Sequence, residues 1–296
     1  MEFMDKSFSE AIINGNNQSI AKLVPEGSEI NKCFHGEFKI KSKSKKNVFP
    51  FITDPTPIVL CILCEQSQTL KYLLEKYKVD LFQYVGEWAP IHYACCTESY
   101  ECLAIMLKNK SFQQKIDIPI LSSINETNDF KTTALHVAVT NKRYSQVILL
   151  TQNLIYAKAT TALEFLNQNI PTISHIDQKS MSGNTALHIA VYLKDLEMCK
   201  ILISGEANPN IENDENISPL AFAKNHNYSE ILSVLRNNLL YSRDYLLQKY
   251  FSKEFLQEYK IDCDVPIENQ LKAKFEDLQS EIIDISAQLS QLESKL

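Results

Sequence analysis

Cysteine and histidine are the residue types in this chain best suited to chemistry. Cys61-Ile-Leu-Cys64 has the gap of a metal or redox pair, and Cys95 and Cys96 stand side by side further on. No second pair follows at zinc-ribbon spacing. The eight cysteines, at 33, 61, 64, 95, 96, 102, 199 and 263, keep no regular framework, which suits a reducing compartment. Of the six histidines, His35, His175 and His226 lie in loops or a turn with no cysteine or carboxylate at ligand spacing. The other three, His92, His136 and His188, share one local context, described below. Phosphate loops, dinucleotide fingerprints, nucleophile elbows and kinase signatures are missing from the sequence. No catalytic residue, metal site or cofactor is expected. Convergence of Cys61, Cys64, Cys95 and Cys96 on one zinc is the surviving alternative, testable by a metal assay.

The elements that position these residues come from a recurring box. Thr185-Ala-Leu-His188 is followed 33 residues later by Ser218-Pro-Leu-Ala221, and Thr56-Pro-Ile-Val59 is followed 33 residues later by Ala89-Pro-Ile-His92. Thr133-Ala-Leu-His136 lies 44 residues after Ala89 and 52 before Thr185, one period plus an insertion each way. The box opens a helix for a physical reason. A hydroxyl at the first position can accept a bond from an orphan amide, and proline at the next position lacks the amide that would go unpaired anyway. After each box comes a short apolar helix, a polar break and a second helix. In the fourth copy these are Ala186 to Leu193, Lys194-Asp195, and Leu196 to Ile203, with Gly205 expected to end the second helix as a C-cap glycine.

A 33-residue period with this box resembles the ankyrin repeat. The resemblance implies an all-α solenoid, with an N-terminal cap plus about five repeats over residues 1–237. Phe8 to Ala11 and Ile20 to Val24 match the cap's two helices. It also implies structural duty for the box histidines, which bond within and between repeats. Cys61 aligns with Ala94 and Ala190 at a small buried position, so cysteine there reads as a small hydrophobe.

Three insertions interrupt the array, near 27–53, 112–130 and 152–179. The first alternates polar and apolar residues, as a strand or extended hairpin does. One face then carries Lys39, Lys41, Lys43 and Lys45, with Lys46 adjoining, either as a solvated loop or as a patch for an acidic partner. The second insertion reads as a loop, and the third begins with helical spacing. Residues 238–262 keep apolar spacing suited to a helical C-terminal cap. From Leu271 the spacing becomes 4-3-4-3 through Leu271, Phe275, Leu278, Ile282, Ile285, Leu289, Leu292 and Leu296. That heptad seam over 263–296 fits a coiled coil, by self-association or with a partner helix, or an amphipathic helix packed on the array.

Composition narrows the function. Net charge is −6 and lysine outnumbers arginine 27 to 3, which disfavours nucleic acid as a partner. The sequence shows no signal-peptide core and no apolar run of membrane-spanning length, so a cytoplasmic protein is expected. The resemblance implies a non-enzymatic adaptor or scaffold that binds proteins through hairpin tips and the first-helix face. Carried onto this chain, those positions are Trp88, Phe130, Thr132, Thr140, Asn141, Asn184, Tyr192, Leu193, Ile217, Asn225 and His226. Trp88 reads either as a rigid anchor for a partner or as a contact to the preceding repeat or loop. The alternative function is a structural component of a cytoskeletal or other filament, using the coiled coil for assembly and the lysines to contact an acidic polymer.

Overall fold

The computed structural model describes residues 2–40, 49–109, 132–151, 176–237, 241 and 243–258. The chain divides into two compact units, Met1–Leu240 and Tyr241–Leu296. In the first unit the described helices come in pairs. The N-terminal pair is α1 (Glu2–Ile13) and α2 (Asn17–Leu23); copy one is α3 (Pro57–Leu63) and α4 (Ser67–Lys76); copy two is α5 (Pro90–Ala94) and α6 (Glu101–Lys108). Copy three is α7 (Ala134–Thr140) and α8 (Tyr144–Thr151); copy four is α9 (Ala186–Tyr192) and α10 (Leu196–Ser204); copy five is α11 (Pro219–Asn225) and α12 (Ser229–Asn237). First helices pack on first helices, from α1 through α11, and second helices on second helices, from α4 through α12. This is the two-layer solenoid that the period predicts.

The core lies between the layers and between neighbouring copies. Five residues after each box opens stand Cys61, Ala94, Ala138, Ala190 and Ala223, all fully buried. Small side chains there let adjacent first helices approach closely, and cysteine fills the slot in copy one as expected. Leu70, Leu73, Leu103, Met106, Val147, Leu150, Cys199 and Leu202 are buried on the second layer. Each such aliphatic side chain contributes about 1.5–3 kcal/mol.

The helix starts divide by box chemistry. Where the fourth box residue is apolar, the first-position hydroxyl caps the helix: Thr56 Oγ1 accepts the Val59 amide at 3.3 Å, and Ser218 Oγ accepts the Ala221 amide at 3.1 Å. Where that residue is histidine, the imidazole takes over. His92, His136 and His188 each accept the amide of the box's first residue through Nδ1, at 3.1, 3.2 and 3.0 Å. This is the return arm of a capping box, with histidine in place of glutamate. It serves Ala89, which has no hydroxyl of its own.

In five of the pairs the turn takes one residue in the left-handed region, at Gly15, Glu65, Lys142, Lys194 and Asn227. In copy two the second helix starts one residue later, and no left-handed residue occurs in that turn. Gly205 is the C-cap of α10, as expected, but it does not carry the left-handed angle. It sits at the end of α10 with φ −88°, and the left-handed residue is Glu206, at φ 70°. Glycine's freedom is therefore spent one residue early, while a side-chain-bearing residue carries the strained angle. Glu206→Gly is expected to raise stability by about 1 kcal/mol, seen as a higher melting temperature. An unchanged or lower melting temperature would show that the angle costs nothing here.

The first insertion has a hairpin at its base. Strand β1 (Glu37–Lys39) pairs antiparallel with β2 (Phe51–Thr53), with Phe38 opposite Ile52. Ile40 and Ile52 are buried while Lys39 and Phe51 are exposed, which agrees with the alternation. Lys41, Lys43, Lys45, Lys46 and Phe130 lie outside the described residues, as do the second insertion, the third as far as 175, and the heptad seam 271–296. In the second unit, α13 (Arg243–Tyr250) and α14 (Lys253–Glu258) bury Leu246, Leu247, Phe251, Phe255 and Leu256.

Candidate functional site

The box histidines also bridge copies. His136 Nε2 lies 3.0 Å from the Asn184 carbonyl, and His188 Nε2 lies 3.0 Å from the Ile217 carbonyl, each at the residue before the next box. With Nδ1 accepting an amide, Nε2 must carry the proton and donate. The neutral imidazole thus ties its own helix start to the next hairpin, and a second proton would displace the amide from Nδ1. Burial pulls the His188 pKa below its ordinary 6.5, Lys179 and His136 add to that, and the Ile217 carbonyl opposes it. The unfolded chain therefore takes up this proton first. His188's contribution to stability is complete above about pH 6.5 and is lost as pH falls from there through the lower folded-state pKa. Melting temperature is expected to fall between pH 7 and pH 5, and to fall less in a variant lacking this imidazole. Equal pH dependence in both proteins would exclude His188 as the source.

The hairpins and turns are tied in the same way. Asp214 N–H donates to the Ser182 carbonyl at 3.3 Å, Lys179 Nζ to the Glu212 carbonyl at 2.7 Å, and Asn208 N–H to Asp177 Oδ1 at 2.9 Å. At the turns, Gln66 Nε2 reaches the Ile13 carbonyl at 2.8 Å and Arg143 Nε the Cys96 carbonyl at 2.9 Å. Asp195 caps α10 through the Met198 amide and accepts the Tyr144 hydroxyl at 2.9 Å, with Lys142 at 3.7 Å.

Cysteine chemistry is disfavoured by burial. The Cys96 and Cys199 thiols are pushed up to about 12, and those of Cys61, Cys95 and Cys102 are raised by the same desolvation. A thiol held protonated is a poor nucleophile and a poor ligand. Among the described residues no group of three or more His, Cys, Asp or Glu is arranged to hold a metal ion. Two concavities of about 150 and 380 Å³ border the N-terminal helix pair, and neither lining holds a histidine or cysteine.

The expected partner-binding positions fall into two sets. Trp88, Thr132, Asn184 and Ile217 directly precede boxes, and groups of Trp88, Asn184 and Ile217 contact the array itself. Trp88 is half-buried against Phe49 at 5.3 Å and Tyr93 at 5.5 Å, so it contacts the end of the first insertion. Asn184 Oδ1 accepts from the Tyr192 hydroxyl and from Asn213 Nδ2. The other set occupies the ends of first helices, where exposure changes along the array. At the equivalent places in copies one and two, Leu63, Cys64 and Cys96 are buried and Thr97 is half-buried. Asn141 is half-buried, bonded to the Val137 carbonyl and Cys96 Sγ. Thr140, Leu193, Asn225 and His226 are exposed, with Tyr192 half-exposed beside them.

Sequence reasoning missed Phe222, Tyr228 and Lys194. Phe222 packs on Tyr192 at 4.4 Å and stacks on His226 at 3.9 Å; Tyr228 lies 5.6 Å from His226, under the Lys194 ammonium at 4.7 Å. One signal was available. Phe222 follows the box directly, where the other copies carry Leu60, Tyr93, Val137 and Ile189.

Comparison with known proteins agrees with this geometry. The family model described as Ankyrin repeats (3 copies) matches residues 59–160, and the one described as Ankyrin repeat matches residues 182–214. The ankyrin repeat domain of Bcl-3, a unique member of the IkappaB protein family, is similar at 18% identity and TM-score 0.53, over 80% of this chain and 87% of that one. An ankyrin repeat domain from Acinetobacter baumannii AYE is similar at 18% identity and TM-score 0.51, over 79% and 98% of the two chains. The ankyrin repeat protein EF0377 is similar at 18% identity and TM-score 0.50, over 77% and 96%. With the box, the paired helices and the histidine bridges in place, the chain carries ankyrin repeats at residues 59–160 and 182–214, and ankyrin repeats generally mediate protein–protein interaction.

Proposed function

We propose that this protein is a non-enzymatic recognition module, an adaptor or scaffold, and that it binds partner proteins through the first-helix ends of copies three to five. The observation that carries this reading is the change of exposure along the two adjacent positions that end the first helices. Leu63, Cys64 and Cys96 are closed off, whereas Thr140, Leu193, Asn225 and His226 stand open. The buried imidazoles and thiols serve packing and capping, so recognition falls to exposed side chains, and the open row gathers several of them at adjacent repeats. Fold alone does not choose a target, because such arrays vary their exposed residues on a constant frame.

The test is affinity capture with the full chain, a Thr140→Arg/Leu193→Arg/Asn225→Arg variant, and a Lys71→Glu/Glu75→Lys control on the exposed face of α4. Bound proteins are identified by mass spectrometry. Partners are expected to be lost with the first variant and kept by the control. Retention by both variants would remove the row from the recognition surface.

A further inference from the structure

The second unit gathers three aromatic rings around one cation. Tyr241, Tyr245 and Lys249 follow one another at four-residue steps, which lines them up along one side of α13 and its approach. The Tyr241 and Tyr245 rings lie 4.6 Å apart, tilted by 31°. The Lys249 ammonium stands over both, at 5.7 and 5.3 Å from their centroids, and over Tyr250 at 5.2 Å. Packing of this element falls to Leu246, Leu247 and Phe251, which are buried. The three tyrosines are half-exposed and Lys249 is exposed.

Three rings converging on one nitrogen make a place for positive charge, because the face of each ring is the negative pole of its quadrupole. Lys249 fills that place from within the chain, and it does so at a cost. A primary ammonium is compact and strongly hydrated, so seating it over rings strips part of its water. Its flexible four-carbon stem also lets it return to solvent. A methylated ammonium carries the same charge on a larger, more weakly hydrated head. It gives up less water and covers more ring surface, which is why aromatic cages select quaternary ammonium groups.

We propose that Tyr241, Tyr245 and Tyr250 form a binding site for a trimethylammonium group, with Lys249 as its resident competitor. The group is supplied by a trimethylated lysine of a partner protein or by a choline-type solute; the chemistry at the rings is the same for both. The site belongs to the second unit and is independent of the recognition function proposed for the repeats.

The experiment titrates the full chain and follows binding by saturation-transfer difference NMR. The probes are choline, a capped tripeptide with a central trimethyl-lysine, and the neutral tert-butyl isostere of choline. The proteins are wild type, Lys249→Gln and Tyr245→Leu, with circular dichroism as the check on folding. The isostere is expected to bind about tenfold more weakly than choline, since it keeps the shape and loses the charge. Lys249→Gln should bind the cations about fivefold more tightly, because the site no longer has to be vacated first. Tyr245→Leu should lose about tenfold. A tripeptide that outbinds choline would assign the site to a partner protein, and the reverse order to a solute. Equal binding of choline and its neutral isostere would reduce the site to apolar contact and overturn the inference. Unchanged or weaker cation binding in Lys249→Gln would overturn it too, as would no binding by either cation to wild type and Lys249→Gln. Lys249→Gln leaves every ring in place, so it decides the question even if Tyr245→Leu fails to fold.

Discussion

Replacing Gly183 by alanine is expected to cost the array about 3 kcal/mol, far more than the same change at Gly27. Both glycines have positive φ, +72° and +80°. A Cβ at Gly27 meets nothing within 4 Å, so Gly27→Ala measures the backbone angle alone, about 1–2 kcal/mol. A Cβ at Gly183 would stand 2.6 Å from the Asp214 amide nitrogen and 2.4 Å from its carboxylate. The side chain can swing away, but the amide belongs to the next hairpin and donates to Ser182 at 3.3 Å. The copy-four and copy-five hairpins would have to separate, loosening Lys179 from Glu212 and Asn208 from Asp177 as well. Asp54 and Asn216 hold the same place before their boxes at positive φ without being glycine, so the angle itself does not demand glycine. Urea midpoints by circular dichroism compare the two variants. Equal losses at Gly27 and Gly183 would mean that the close approach of hairpins carries no energy.

His188→Ala is expected to cost about 4 kcal/mol. The substitution strands the buried Thr185 amide and the Ile217 carbonyl, each worth about 1–3 kcal/mol unpaired. It also leaves a cavity where a fully buried ring stood. His226→Ala removes an exposed ring from the same region and should change stability by about 0.5 kcal/mol or less. Urea denaturation of the two variants makes the comparison. A loss at His188 no larger than that at His226 would show that the box imidazole is dispensable to the frame. The two substitutions also separate stability from recognition, since His226 belongs to the exposed row proposed for recognition and His188 is fully buried.

The frame was legible in the sequence because its determinants are short-range. A hydroxyl before Pro57 or Pro219, a histidine three residues after Ala89, Thr133 or Thr185, and a small residue at Cys61 or Ala190 act within one helical turn or at one repeated contact. A box repeated in phase therefore fixes helix starts, pairing and the buried stripe. Even locally one detail escaped. Gly205 and Glu206 are neighbours, and the angle that ends α10 fell on the glutamate because the Ala207 amide reaches back to Leu202. The hydroxyls of Thr133 and Thr185 also turn toward Nδ1 of His136 and His188, at 2.9 Å; a histidine in the box redirects the cap.

Which positions stand open was not legible, because burial is a sum over neighbours supplied by other copies and by insertions. Cys64 and Leu193 hold equivalent places at the ends of their helices, yet the first is closed and the second is open. Trp88 faces Phe49, a residue from an insertion with no period to predict its path. A run of ring contacts likewise joins Tyr192 of one copy to Phe222 and Tyr228 of the next. By itself the sequence determined the repeat, its helix starts and its small-residue stripe, since those interactions lie within a few residues of each other. Only the tertiary structure decided which ends remain exposed to a partner, since that depends on what each neighbouring copy places beside them.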